Sequence, residues 1–284
     1  MPELTLQQGT IRYRDEGTGP VLFFVHGALV DGRLWEPVVA LLRDRFRCVV
    51  PDLPLGSHEL PLKAHADLSP PGLAALVGQI IDALDLEDVT LIGNDTGGAL
   101  CQLLVVEDPE RIGRLVLTDC DAFSDFPPKA FKPLVAAAKL PGGLRALMEP
   151  MRARSARRLP IAYGWLSKRP VPDDVMDGWA LRALQDPGVM ADLRKALSGL
   201  KPEILLDNTP KLASFEKPVL LVWSREDKFF KVEHAHRLAA IFPDARVEEL
   251  TDAYTFVSWD QPERVAELVG AFAGRPQPAG KVAA

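Results

Sequence analysis

Gly93-Asn94-Asp95-Thr96-Gly97 separates two runs of different character: the β-branched stretch Val89-Thr90-Leu91-Ile92 before it and the helix-forming stretch that opens at Gly98-Ala99-Leu100 after it. The order reads as strand, sharp turn and helix, with Asp95 at the apex. Glycine, any residue, nucleophile, any residue, glycine is the spacing of a nucleophile elbow, whose turn is too tight for a side chain at either flank. A carboxylate at the apex narrows the chemistry. Attack by a carboxylate on saturated carbon leaves an ester that water can open, whereas a serine would be left as an inert ether. Halides or strained epoxide oxygens on sp3 carbon therefore suit the apex better than ordinary esters or amides. The plainer alternative is a glycine-rich turn after a parallel strand, with the aspartate capping the next helix.

Outward from the turn, strands and helices alternate. Thr10 to Arg14 alternates as a half-buried strand, and Val21 to Val25 is a continuous apolar run suited to a strand covered on both faces. Helical spacing follows over Leu34 to Arg43, a strand over Arg47 to Val50, and a helix over Pro70 to Leu84 with Ser69 as N-cap and Pro70 at its first position. Beyond the elbow come a helix over Gly98 to Val106 and a strand over Arg114 to Leu117. The pattern then breaks. From about Asp121 to Glu216 prolines and short helical stretches accumulate, with Phe123, Phe126, Phe131, Tyr163, Trp165 and Trp179 among them. Alternation resumes with the strand Val219 to Trp223, the helix Val232 to Ile241, the strand Arg246 to Leu250 and the helix Pro262 to Phe272. The expected organisation is one discontinuous core, 1–121 and 217–273, a helical cap at 122–216, and a flexible tail at 274–284.

Composition bounds the rest. The 284 residues are 47% hydrophobic and 25% charged, enough apolar material for a large core, and the net charge of −6 argues against nucleic acid. Arg152, Arg154, Arg157 and Arg158 form the one basic group and read as a solvated helical face. Cys48, Cys101 and Cys120 are isolated thiols without metal-ligand or disulfide spacing. No metal or cofactor site is read, no apolar run reaches membrane-spanning length, and the start of the chain lacks a signal pattern, so a cytoplasmic protein is expected.

The sequence resembles the α/β-hydrolase superfamily over nearly the whole chain outside the cap. The resemblance rests on Val25-His26-Gly27-Ala28 with Asp31 and Trp35, on Asp52-Leu53-Pro54-Leu55-Gly56, on the elbow, and on Ser224-Arg225-Glu226-Asp227. It implies a mostly parallel eight-stranded sheet with helices on both faces and an inserted helical cap. An apex aspartate is similar to the haloalkane dehalogenase and epoxide hydrolase branches. By the same resemblance the backbone N–H groups of Ala28 and Thr96 form the oxyanion hole, His26 belongs to that loop, and Asp227 is the acid of the triad, with Asp119 a second candidate.

The resemblance also exposes a gap. The family places its histidine after the last strand, ahead of an acidic-x-Pro-Glu stretch, and counting back from Pro262 puts Thr255 there. Threonine is no base near neutral pH, and opening the ester requires one. Of the five histidines, His234 and His236 read as solvated positions on a helix, His58 and His65 lie in a proline-rich loop, and His26 adjoins the oxyanion loop. The residue after the nucleophile, where dehalogenases place a halide-binding tryptophan, is Thr96, and the cap holds one tyrosine, Tyr163, where epoxide hydrolases use two. Trp165 is a candidate for the pocket wall.

Three functions fit: a cofactor-independent hydrolase acting through Asp95 on a small or medium apolar substrate, a lyase or isomerase using Asp95 as acid or base, and a ligand-binding protein that keeps the pocket without turnover.

Overall fold

The computed structural model describes residues 1–274. Eight strands form one sheet in the order β1-β2-β4-β3-β5-β6-β7-β8. They are β1 (Glu3–Leu6), β2 (Gly9–Glu16), β3 (Val21–Val25), β4 (Arg47–Pro51), β5 (Val89–Asp95), β6 (Ile112–Cys120), β7 (Val219–Ser224) and β8 (Ala245–Leu250). β1 and β2 pair antiparallel and β2 runs antiparallel to β4; every other pairing is parallel. β3 and β5 are neighbours although β4 lies between them in sequence, so the chain leaves these two strands in opposite directions and opens a crevice beyond their C-terminal ends.

Successive side chains of a strand point to opposite faces, and the apolar runs fill both. Phe23, Val25, Leu91, Leu115, Leu117 and Leu221 enter one core, shared with α2 (Pro70–Ala83) and α3 (Thr96–Glu107). Leu22, Phe24, Ile92, Val116, Leu220 and Val222 enter the other, shared with α1 (Glu36–Leu42) and, at the chain's end, a long helix over Pro262–Ala273. Burial on both faces is why these strands read as continuous apolar stretches rather than alternating ones. Ser69 caps α2 as its sequence demands, its Oγ accepting from Gly72 N at 3.3 Å.

Between β6 and β7 the described chain contributes no strand to the sheet. It forms α4 (Lys132–Ala138), α5 (Gly143–Met148), α6 (Arg154–Arg157), α7 (Asp173–Gln185), α8 (Pro187–Ser198) and α9 (Pro202–Asn208). α10 (Val232–Ala239), α11 (Val257–Asp260) and α12 (Pro262–Ala273) complete the helices. The helical segment is tied down by buried polar contacts. Trp179 Nε1 donates to Asp31 Oδ1 at 2.9 Å, Tyr163 OH to Leu29 O at 2.8 Å, and His58 pairs with Asp192 at 3.2 Å. Asp260 accepts from the N–H groups of Lys168, Arg169 and Tyr254 and from the Ser167 hydroxyl.

Several local expectations need correction. The helix expected from Leu34 begins as a 3-10 turn over Gly32–Trp35, and the helix after the elbow starts at Thr96. Arg157 is buried, donating to Met151 O and paired with Asp177, so the arginine group is not one solvated face. No helix among the described residues is long and apolar enough to cross a membrane. The tail expected at 274–284 lies, from residue 275 on, outside the described residues.

Candidate active site

β5 ends in a strained turn. Asp95 has φ 53° and ψ −131°, a conformation that non-glycine residues rarely adopt and that persists only where the surroundings enforce it. They do so sterically. A Cβ at Gly97 would lie 2.5 Å from Val25 O and 2.6 Å from His26 O, and one at Gly93 would lie 2.7 Å from Cys101 Sγ. Both glycines of the pentad are therefore fixed by close approach. Behind the apex, Asn94 is buried and its amide donates to Thr118 O (3.1 Å), Thr118 Oγ1 (3.0 Å) and Thr255 O (2.9 Å), joining β5, β6 and the loop after β8.

The Asp95 carboxyl meets the loop after β3. Ala28 N donates to Asp95 Oδ2 at 3.2 Å, and a Cβ at Gly27 would collide with that carboxyl, 2.0 Å from Oδ2. Burial pushes the Asp95 pKa up to about 7; the Thr96 and Ala28 N–H groups oppose the rise, and the charge of Asp227 adds to it. The carboxyl opens on a cavity of about 350 Å³ whose wall is mostly apolar, with Phe131, Leu134, Met148, Met151, Leu166 and Leu197 among its members. Among the lining residues the polar side chains are those of Asp95, Thr96, Asp121 and Tyr163, and none is cationic.

Below Asp95 lies a second polar group. Asp227 Oδ1 accepts from Phe229 N and Phe230 N at 2.6 and 2.7 Å, and Asp119 Oδ1 accepts from Ser224 N at 2.9 Å. Burial raises the Asp227 pKa to about 6, against those N–H groups, and carries Asp119 well above the ordinary range with help from the Asp227 charge. Thr255 is fully buried with its hydroxyl beside the Asp227 carboxyl, and the carboxyls of Asp227 and Asp119 meet each other. The structure thus brings Asp227, Asp119 and Thr255 together under Asp95 and keeps all three out of the cavity wall.

Two candidates fall away. His26 does not face the cavity: its Nδ1 donates to Gly27 O at 2.8 Å and its Nε2 accepts from Leu53 N at 2.8 Å, so both ring nitrogens are committed to backbone. Burial lowers its pKa to about 4, and the ring holds two loops together as a neutral imidazole. Trp165 is 43% exposed, packs near Phe229 and lies outside the cavity wall. His234, expected in solvent, is buried near Phe123 and Asp125, with burial lowering its pKa. His58 is buried against Asp192, His65 is exposed, and His236 pairs with Glu249 at the surface.

One residue escaped sequence reading. Asp121 lines the cavity, is 1% exposed, and its carboxyl accepts from no backbone N–H, with the Thr96 hydroxyl beside it. Burial raises its pKa well above the ordinary range, the Asp95 charge adds to the rise, and the Thr96 side chain opposes it. The signal was available in Asp119-Cys120-Asp121, two acids at alternate positions where a parallel strand ends at the edge that carries the elbow.

Comparison with known proteins agrees with this architecture. The chain belongs to the α/β-hydrolase fold family, whose model matches residues 20–262. It is 29% identical over 281 residues to haloalkane dehalogenase 2 of Mycobacterium bovis, covering 92% of this chain and 91% of that protein. It is 26% identical over 268 residues to a 2-hydroxy-6-oxononadienedioate/2-hydroxy-6-oxononatrienedioate hydrolase of Paraburkholderia xenovorans, covering 91% and 89%. The haloalkane dehalogenase structure from Bradyrhizobium elkani superposes with a TM-score of 0.78 at 20% identity over 95% of each chain.

Proposed function

We propose that the protein is a cofactor-independent hydrolase in which Asp95 attacks carbon in a small or medium apolar substrate, with the helical segment 122–216 acting as the cap that walls the site. The observation that carries the reading is the Asp95 carboxyl itself, strained at the apex, held by Ala28 N–H and opening on an apolar cavity of about 350 Å³. The strain and the fixed N–H groups aim one carboxyl oxygen, and that positioning is most of what a displacement at carbon asks of a protein. The haloalkane dehalogenase name of one relative supports attack on sp3 carbon.

Incubation with hexyl iodide followed by acid quench and intact-mass measurement tests it. One hexyl group, mapped to the peptide holding Asp95 and absent from Asp95→Asn, is the expected result; an adduct that survives Asp95→Asn moves the nucleophile elsewhere. A lyase or isomerase reading is favoured by a single observation, the rise of the Asp95 pKa to about 7, which suits a group that gives and takes protons. Turnover of a substrate with neither adduct nor hydrolysis would select it.

A further inference from the structure

The reaction proposed above lacks a base, since Thr255 is buried outside the cavity and both nitrogens of His26 are committed. We propose that Asp121, the second carboxyl in the cavity wall, donates and accepts the proton that the reaction needs, and that the substrate therefore carries an oxygen leaving group of the epoxide type. The inference rests on Asp95 being the nucleophile.

Asp121 belongs to this role by position. It follows β6 as Asp95 ends β5; Asp95 pairs with Cys120 in the sheet, and Asp121 N donates to Asp95 O at 3.4 Å. Its two oxygens are buried and accept from no backbone N–H, the Thr96 hydroxyl being the one group that favours its charge, although a carboxyl kept only for structure is ordinarily held by several donors, as Asp260 is here. Two adjacent carboxyls in a poorly hydrated wall do not both ionise, and the difference in their surroundings sets which one keeps the proton. Asp95 has the Ala28 and Thr96 N–H groups to hold its charge, so Asp95 is the carboxylate and Asp121 the acid.

The steps balance. An Asp95 oxygen attacks an epoxide carbon, the carbon–oxygen bond breaks with its electron pair passing to oxygen, and that oxygen takes the proton of Asp121. A hydroxyalkyl ester on Asp95 and a carboxylate at Asp121 result. Asp121 then takes a proton from water as the water oxygen adds to the ester carbonyl, whose oxyanion is held by the Ala28 and Thr96 N–H groups. Collapse expels the diol as an alkoxide, which Asp121 protonates, and the acid left on Asp95 hands its proton back to Asp121. One carboxyl serves as acid and then as base, as in retaining glycoside hydrolysis. A halide needs no proton but does need donors. The lining offers no side-chain N–H, and the Tyr163 hydroxyl is committed to Leu29 O.

Hexene oxide and hexyl iodide separate the roles, because only the first leaving group needs an acid. In the native protein the rate of alkylation by iodide should rise with pH as Asp95 ionises and then level, whereas hexene oxide turnover should rise and fall again as Asp121 loses its proton. Asp121→Asn, checked for an unchanged melting transition, should lower hexene oxide turnover by about a hundred-fold or more while changing alkylation by iodide by less than about ten-fold. Matching pH profiles for the two probes, equal losses on both, or unchanged hexene oxide turnover in Asp121→Asn would overturn the role of Asp121. So would alkylation by iodide with no hexene oxide turnover at all. Alkylation that does not depend on Asp95 removes the underlying reading instead, and a single turnover in heavy-oxygen water, which should label the Asp95 carboxyl, reports on that point separately.

Discussion

The turn after β5 and the loop after β8 end at the same edge of the sheet and meet at Asn94, but they are built differently. At the turn the backbone is locked by close contact, and Asp95 finds N–H donors in the positions its charge requires. At the loop, Thr255 brings a hydroxyl to the Asp227 carboxyl, which the Asp119 carboxyl also meets. The Asp95 end of the site is closely specified by fixed backbone N–H groups, whereas the Thr255 end gathers two buried acids and a hydroxyl. A well-held carboxyl at one end therefore says little about the chemistry available at the other.

The largest effect that would sharpen this contrast is steric. Gly97→Ala should cost about 4 kcal/mol, measured by urea unfolding, because its Cβ would press on the carbonyls of Val25 and His26; a cost typical of a surface substitution would show that the turn is not locked. Asn94→Ala should cost about 3 kcal/mol, since it strands acceptors on Thr118 and Thr255 and leaves a void.

The change at Asp227, beside Thr255, should run the other way. The folded pKa of Asp227, about 6, exceeds the ordinary 3.8, so the folded chain binds that proton more tightly and stability falls as pH rises from about 4 through 6. The gap corresponds to about 3 kcal/mol at most. Asp227→Asn, which keeps the oxygen that accepts from Phe229 and Phe230, should raise the melting temperature at pH ~8 and lose that gain near pH ~4. A drop at both pH values would mean that the hydrogen bonds to the carboxylate outweigh the cost of burying it. The smallest change is Thr255→Val, expected to cost about 1 kcal/mol because it removes the hydroxyl that favours the Asp227 charge.

The contrast also marks what the sequence made legible. Strands covered on both faces announced themselves as apolar runs, and the elbow did so because a glycine forced by close approach appears as a glycine. Asp227 and Thr255 were found through the family resemblance, by counting from the strand and from Pro262, and they do meet near Asp95. Spacing does not say which way a side chain turns. His26 adjoins the oxyanion loop in sequence but points back to Leu53, and Trp165 lies in the right segment yet on its outer side. Asp121 was passed over for Asp119, two residues earlier. A φ of 22° at Asp119 turns the chain just there, and no local pattern announces it. His234 was readable: it shares a helical face with Leu238, both buried.

Asp260 has a consequence for molecular traffic. By gathering the N–H groups of Lys168, Arg169 and Tyr254 onto one carboxylate, it rivets the rear of the helical segment to the core, and that end does not swing open as a door. The exchange of solutes then falls to the part of the wall that meets solvent, where Leu147, Leu159 and Ile161 are 45%, 51% and 72% exposed. A greasy threshold of this kind admits molecules according to how readily they leave water. It also favours one-way flow wherever a product is better hydrated than the molecule that entered.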